Sequence, residues 1–213
     1  MFIDELSKNP SFYFGMAFTI IFSISFHELA HGLVAVWLGD DTPIQQRRMT
    51  LNPLVHMGPM SLLMLAIMGI AWGQMPVRED RLRGRYGVAL VALAGPLTNM
   101  LLAAIALVAL GLWMRFDHRA PADVPRTVSN AWDLLWMIGV ANVMLAIFNL
   151  IPVPPLDGSN IVRSLTPSMG NLMASMRQVP IAFLAVFALA GYVIEPWSLK
   201  IATRVVLFVV RGH

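Results

Sequence analysis

An apolar run of about 28 residues, Ser11 to Leu38, contains the sequence His27-Glu28-Leu29-Ala30-His31. A run of that length can cross a bilayer as one helix. Ionisable side chains are costly at such depth, so a cluster of them there points to function. The spacing adds the chemistry. On a helix, positions i and i+4 share a face, so both imidazoles can reach one metal ion. Glu28, beside the first of them, is placed to act as general base toward an attacking water. A zinc hydrolase buried in a membrane is the first reading.

Composition agrees with a membrane setting. The 213 residues are 57% hydrophobic and 13% charged, against roughly 25% charge in soluble domains. There is no cysteine. Thiolate ligands and disulfides are excluded, so any metal must rest on His, Asp or Glu. The net charge of +3 comes from arginines in short loops beside apolar runs, as membrane edges require. No basic, aromatic-interleaved stretch is present, and nucleic acid is not an expected partner. The start of the chain, with Asp4, Glu5 and a single Lys8, does not read as a cleavable signal peptide.

The expected fold class is an all-α polytopic membrane protein with about 4–6 transmembrane helices. After Ser11–Leu38, a polar stretch with Arg47 and Arg48 leads to a shorter apolar piece, Pro59–Trp72. At about 14 residues it is short for a span and is expected to be re-entrant or β-like and membrane-associated. Longer spans follow at Tyr86–Met114 and Ala131–Ile151. Two C-terminal pieces, Val179–Ile194 and Trp197–Val210, are expected on either side of Glu195-Pro196, the second interfacial because Lys200 and Arg204 share a face. Residues 1–213 are read as one membrane-embedded domain, with a catalytic core at about 11–163 and C-terminal helices at about 179–211.

A catalytic zinc needs a third protein ligand and an open position. Asp157 is the best candidate. It lies in Asn149-Leu150-Ile151-Pro152-Val153-Pro154-Pro155-Leu156-Asp157-Gly158, where prolines break a span. Irregular backbone at membrane depth is tolerated where it lines a wet cavity. Taken singly, an aspartate such as Asp157 is more often a helix-terminus or turn residue and an asparagine such as Asn99 more often an interhelical hydrogen-bonding residue. Their co-occurrence with the two histidines carries the argument.

At this point the chain resembles the site-2 proteases, which are intramembrane zinc metalloproteases. The resemblance rests on His27-Glu28-x-x-His31 in a first span, Gly95-Pro96-Leu97-Thr98-Asn99 in a middle span, and Asn149 to Gly158 at a later one; it covers residues 12 to 163. It implies one Zn2+ on His27, His31 and Asp157, with Glu28 as base and Asn99 near the cleft holding substrate. Leu51-Asn52-Pro53-Leu54-Val55-His56 also resembles a segment of compact family members, which makes His56 a candidate substrate contact beside the plain reading of a loop histidine. The compact form lacks a PDZ or CBS domain, and no stretch here is polar enough for either. The implied reaction is hydrolysis of peptide bonds within or near transmembrane segments of membrane proteins, with the substrate held as a strand near Arg47–Leu54.

The ligands must meet at one depth, so the spans ending at Leu38 and Ile151 should point the same way. That requires an even number of crossings between them, and Pro59–Trp72 must not cross. Six arginines between Gly39 and Arg85 then share one side, against three in the loop Arg115–Asn130, offset by Asp117 and Asp123. The positive-inside rule makes the first side cytoplasmic and places the active site nearer that face of a bacterial or archaeal plasma membrane. The rival reading is a metal-binding membrane protein without protease activity, a transporter or sensor. Glu28 separates the two, because holding zinc does not require it.

Overall fold

The computed structural model describes residues 1–117, 125–169 and 180–212. Parts of the expected loop Arg115–Asn130 and of the segment before the C-terminal helix lie outside the described residues. The first long helix, α1 (Pro10–Trp37), begins where the Asn9 side chain accepts a hydrogen bond from the Phe12 amide at 3.2 Å and Pro10 takes the first helical position.

The next long helix, α3 (Gly87–Phe116), follows a shorter one, α2 (Gly58–Met68). It runs antiparallel to α1, since Val91 meets His31 and Asn99 meets His27. Helix α4 (Arg126–Asn149) turns back along α3, with Gly139 against Leu107 and Asn142 bonded to Asn99. Helices α1 and α4 are therefore parallel, and their C-terminal ends lie at the same end of the bundle, as the common depth of the ligands requires.

Side chains are sorted in the manner of helices in lipid. Phe14, Phe18, Leu33 and Trp37 of α1 and Leu97, Leu101, Ile105 and Phe116 of α3 are exposed. The interior holds Ala89, Ala92, Ala94, Ala103 and Ala106 with Ser23, Ser25, Asn99 and Asn142. Large apolar groups outside, with small and polar ones between helices, is the arrangement a bilayer selects. Helices α1, α3 and α4 are each long and apolar enough to cross a membrane.

The segment between α1 and α3 goes down and comes back. Helix α2 has only 11 residues. It starts just after Met57, which clusters with Ile24, and ends where the Tyr13 hydroxyl donates to the Ala66 carbonyl at 3.0 Å, so it descends toward the start of α1. Residues 70–77 then return. Ala71 packs beside Ile24, Gly73 lies on Glu28, and Met75 on Gly32. Two residues of extended chain advance about 6.6 Å and four helical residues about 6 Å, so the segment keeps step with α1. It closes at the end of α1, where the Arg78 amide donates to Asp40 Oδ2 at 2.7 Å and the Arg83 amide to the Leu38 carbonyl at 2.8 Å. The β-like alternative is corrected: no strand occurs among the described residues. The return segment bonds through Trp72, whose amide and carbonyl both meet the Ser61 hydroxyl, and through the Gln74 amide to the His56 carbonyl, and pairs with no strand among the described residues.

The C-terminal expectation is also corrected. One helix, α6 (Pro180–Arg211), runs through Pro196; the short α5 (Asp157–Leu165) precedes it. A proline forfeits one hydrogen bond. Here Ile194, Ser198, Ala202 and Val206, four residues apart and all buried, hold both halves in line, with Ala202 and Val206 against Leu107 and Leu110 of α3. Lys200 and Arg204 are exposed, and the Lys200 ammonium lies 5.3 Å from the centre of the Trp197 ring.

Asp40 fastens the return segment. It is fully buried and also accepts from the Thr42 hydroxyl at 2.5 Å and the Thr42 amide at 3.0 Å. Burial pushes its carboxyl up, but these bonds from Thr42 and Arg78 outweigh burial and hold it below the ordinary value of 3.8. The stabilisation is present above 3.8 and lost as pH falls below that value through the lowered one. Asp40→Ala should destabilise the protein by about 1–3 kcal/mol and open residues 78–85 to protease in detergent. The wild type should show the same nicking only at pH below 3.8.

Candidate metal centre

His27 and His31 project from one face of α1 toward α3. Their rings are 4.6 Å apart between centroids and nearly perpendicular, and both residues are buried. Each Nδ1 is engaged by an oxygen. His31 Nδ1 donates to the Val91 carbonyl at 2.7 Å, and His27 Nδ1 lies 2.5 Å from Asn99 Oδ1. A backbone carbonyl only accepts, so the His31 proton is on Nδ1 and its Nε2 presents a lone pair. The two Nε2 atoms converge to 3.0 Å.

Asp157 comes from the other side. Helix α4 ends at Asn149, residues 150–156 turn the chain, and Asp157 opens α5. An acid in the first turn suits the helix dipole. Its Oδ2 lies 3.2 Å from His27 Nε2 and 3.4 Å from His31 Nε2. That oxygen is buried and receives no hydrogen bond. Three acceptor atoms thus meet at one point, all within 4.8 Å of one another. Electron pairs so placed repel unless a cation lies among them, and two imidazoles with one carboxylate are the ligand set of a catalytic zinc. The residues present fit the metal.

Gly95 is what lets α3 come this close. A β-carbon there would stand 2.5 Å from the Nε2 atoms of both His27 and His31. Gly73 does the same for the base: the Glu28 carboxylate lies against it, where any side chain would collide. Glu28 is buried and lines a cavity of about 800 Å³ together with His27, His31, Asp157, Asn149 and residues of the return segment. An ion pair ties the cavity wall together: Arg163 of α5 donates to both Glu79 oxygens, at 2.9 and 2.6 Å.

The structure thus unites His27, Glu28, His31 and Asp157. It does not place Asn99 in the cleft; Asn99 is fully buried, its oxygen on His27 and its amino group on Asn142. His56 is not brought to the site either. Its Nε2 is turned to the Thr50 carbonyl at 2.5 Å, and it does not line the cavity. The backbone edge beside Glu28 is residues 70–77, not Arg47–Leu54, because it is the return segment that keeps step with α1. Sequence reasoning passed over Asn142, although an amide in an apolar span was the available signal. It also passed over Gly73, whose role depends on a contact 45 residues away in sequence (73 − 28).

Gly95→Ala should lower zinc affinity at least about 100-fold while the protein still extracts and runs as the wild type in detergent, since the added methyl enters the ligand cluster. Asp157→Ala should do the same. Metal analysis after dialysis against graded zinc buffers reads both.

Comparison with known proteins bears on the same residues. The profile of Peptidase family M50 matches residues 15–193. A Bacillus subtilis (strain 168) protein, "Putative zinc metalloprotease YwhC", is 36% identical over 191 residues, covering 85% of this chain and 84% of its own length. Rip2 of Mycolicibacterium smegmatis, similarly named, is 30% identical over 80% of this chain and 66% of itself. "Zinc metalloprotease MJ0392" of Methanocaldococcus jannaschii is 28% identical, covering 74% of this chain and 36% of itself. No solved structure matches the chain. With a family match spanning both histidines, Glu28, Gly95 and Asp157, the chain belongs to Peptidase family M50, the membrane zinc metalloproteases.

Proposed function

We propose that this protein is a site-2-type intramembrane protease that cleaves peptide bonds within or near transmembrane segments of other membrane proteins. The observation that carries the reading is Glu28. It adds nothing to the ligand set, yet its carboxylate lies at the ligand cluster, inside the cavity and against Gly73. A metal transporter or sensor has no use for a carboxylate in that position.

The chemistry follows from the placement. When bound, zinc supplies Lewis acidity, polarising the scissile carbonyl and making water a better nucleophile. His27, His31 and Asp157 hold the ion. Glu28 takes a proton from the attacking water as the new C–O bond forms. It returns that proton to the amide nitrogen as the C–N bond breaks. A helical substrate hides its carbonyls, so it must be extended first. Residues 70–77 offer a backbone edge beside Glu28, and a substrate strand laid along it would present its carbonyl to the cavity. Asn149, Glu79 and Asn160 give the same cavity a polar wall through which water can enter.

The membrane placement belongs to the same reading. Helix α2 and the return segment enter the bilayer and leave by the side they entered. Arg47, Arg48, Arg78, Arg81, Arg83 and Arg85 then share the cytoplasmic side, and the zinc lies nearer that face. The whole chain acts as one protease domain, with a transmembrane protein or peptide as its substrate and the lipid bilayer as its solvent.

Purified protein should cut a model transmembrane peptide and stop when a chelator is added. Glu28→Gln should lower cleavage by at least about 100-fold with zinc content unchanged; cleavage at the wild-type rate would exclude this mechanism. In a chain that has no cysteine, Gln45→Cys and Arg85→Cys should both react with a membrane-impermeant thiol reagent from the cytoplasmic side. Labelling from opposite sides would show that the segment between them crosses.

A further inference from the structure

Beneath the metal ligands runs a line of buried polar side chains that neither catalysis nor metal binding uses directly. Ser23, Asn99 and Asn142 are each completely buried, on α1, α3 and α4. Their hydrogen bonds are continuous. Asn142 Nδ2 lies 2.8 Å from the Ile138 carbonyl and 2.8 Å from the Ser23 hydroxyl. Asn142 Oδ1 lies 2.7 Å from Asn99 Nδ2. Asn99 Oδ1 lies 2.5 Å from His27 Nδ1.

The polarity of this line can be worked out from one end. An amide side chain has a donor end and an acceptor end, and either could in principle face a given neighbour. The Ile138 carbonyl only accepts, so the Asn142 end that faces it is the amino group. The other end of Asn142 is then the oxygen, which accepts from Asn99. Asn99 must turn its amino group to Asn142 and its own oxygen to His27. An oxygen in that place accepts a hydrogen, so His27 carries its proton on Nδ1 and presents a bare Nε2. His31 reaches the same state by a shorter route, directly from the Val91 carbonyl.

We propose that Asn142 is a positioning residue for the zinc site: anchored on the Ile138 carbonyl, it sets the direction of the Asn99 amide and so the tautomer of His27. Without that anchor the Asn99 amide is free to turn over. Its amino group would then face His27 Nδ1, favour the proton on Nε2, and take away one of the three ligand lone pairs. The inference rests on His27 as a zinc ligand. Residues that orient a metal-bound histidine typically change metal affinity by about 10- to 100-fold when removed.

The discriminating variant is at Asn99. A carboxylate there has no donor end, so Asn99→Asp accepts from His27 whichever way it turns and no longer depends on Asn142. Zinc affinity is measured by competition with a chromophoric chelator on the full-length chain in detergent. Asn142→Leu should weaken it about 10- to 100-fold, and less than about 3-fold when made in the Asn99→Asp background. Equal losses in both backgrounds would show that Asn142 only glues helices together, and wild-type affinity in Asn142→Leu would remove it from the zinc site; either result overturns the proposal. Asn142→Ala, which opens no clash, repeats the test should the leucine variant not fold. Nitrogen NMR of labelled histidine gives a second reading: the zinc-free wild type should show His27 protonated at Nδ1, and Asn142→Leu a mixture of tautomers. Failure of the wild type itself to bind zinc would sink the metal reading, a different result from any of these.

Discussion

Three electron pairs meeting inside an apolar bundle form the constraint on which the rest of this protein depends. His27 Nε2, His31 Nε2 and Asp157 Oδ2 all accept and none donates, and they lie within 4.8 Å of one another. In water such groups would be separately solvated. Here they are held together by the bundle, and a bound cation would offset their repulsion. Helix α3 must approach α1 closely enough to back the two rings, which only a glycine at position 95 permits. The chain beyond α4 must break its helix and deliver a carboxylate at the right depth, which the proline-rich residues 150–156 accomplish.

A polar centre inside an apolar bundle also needs its other polar atoms satisfied, since each unpaired one is costly. The helices meet this through their small faces. Ser23, Asn99 and Asn142 join α1, α3 and α4 by side-chain hydrogen bonds, and alanines around them let the backbones approach. Packing and chemistry are therefore one arrangement: the bonds that hold the helices in place also orient His27.

The return segment serves the same centre from the opposite side. It covers Glu28 with a glycine and presents two edges, one to α1 and one to the cavity. Asp40 fastens one end, and the middle bonds the Ser61 hydroxyl through both Trp72 backbone groups and the His56 carbonyl through Gln74. The metal ligands belong to other elements: His27 and His31 to α1, and Asp157 to α5.

Much of this was legible in the residues themselves. Helical spacing put His27 and His31 on one face, the lack of cysteine restricted the ligands to His, Asp and Glu, and the lengths of Ser11–Leu38, Tyr86–Met114 and Ala131–Ile151 marked three helices long and apolar enough to cross a membrane. These are local properties, decided by the period of a helix and the thickness of a bilayer. The tasks of Asn99, Asn142 and Gly73 were not local. Each depends on which atom stands opposite, across 72 residues of chain between His27 and Asn99 and 43 between Asn99 and Asn142. A proline at 196 reads as a break in isolation, yet four buried side chains carry the helix through it. Sequence by itself determined what the centre is made of, because ligand chemistry belongs to residue types. The tertiary structure decided which polar groups face the metal, which face one another and which backbone edge borders the cavity, because those depend on distances between helices that no spacing along the chain records.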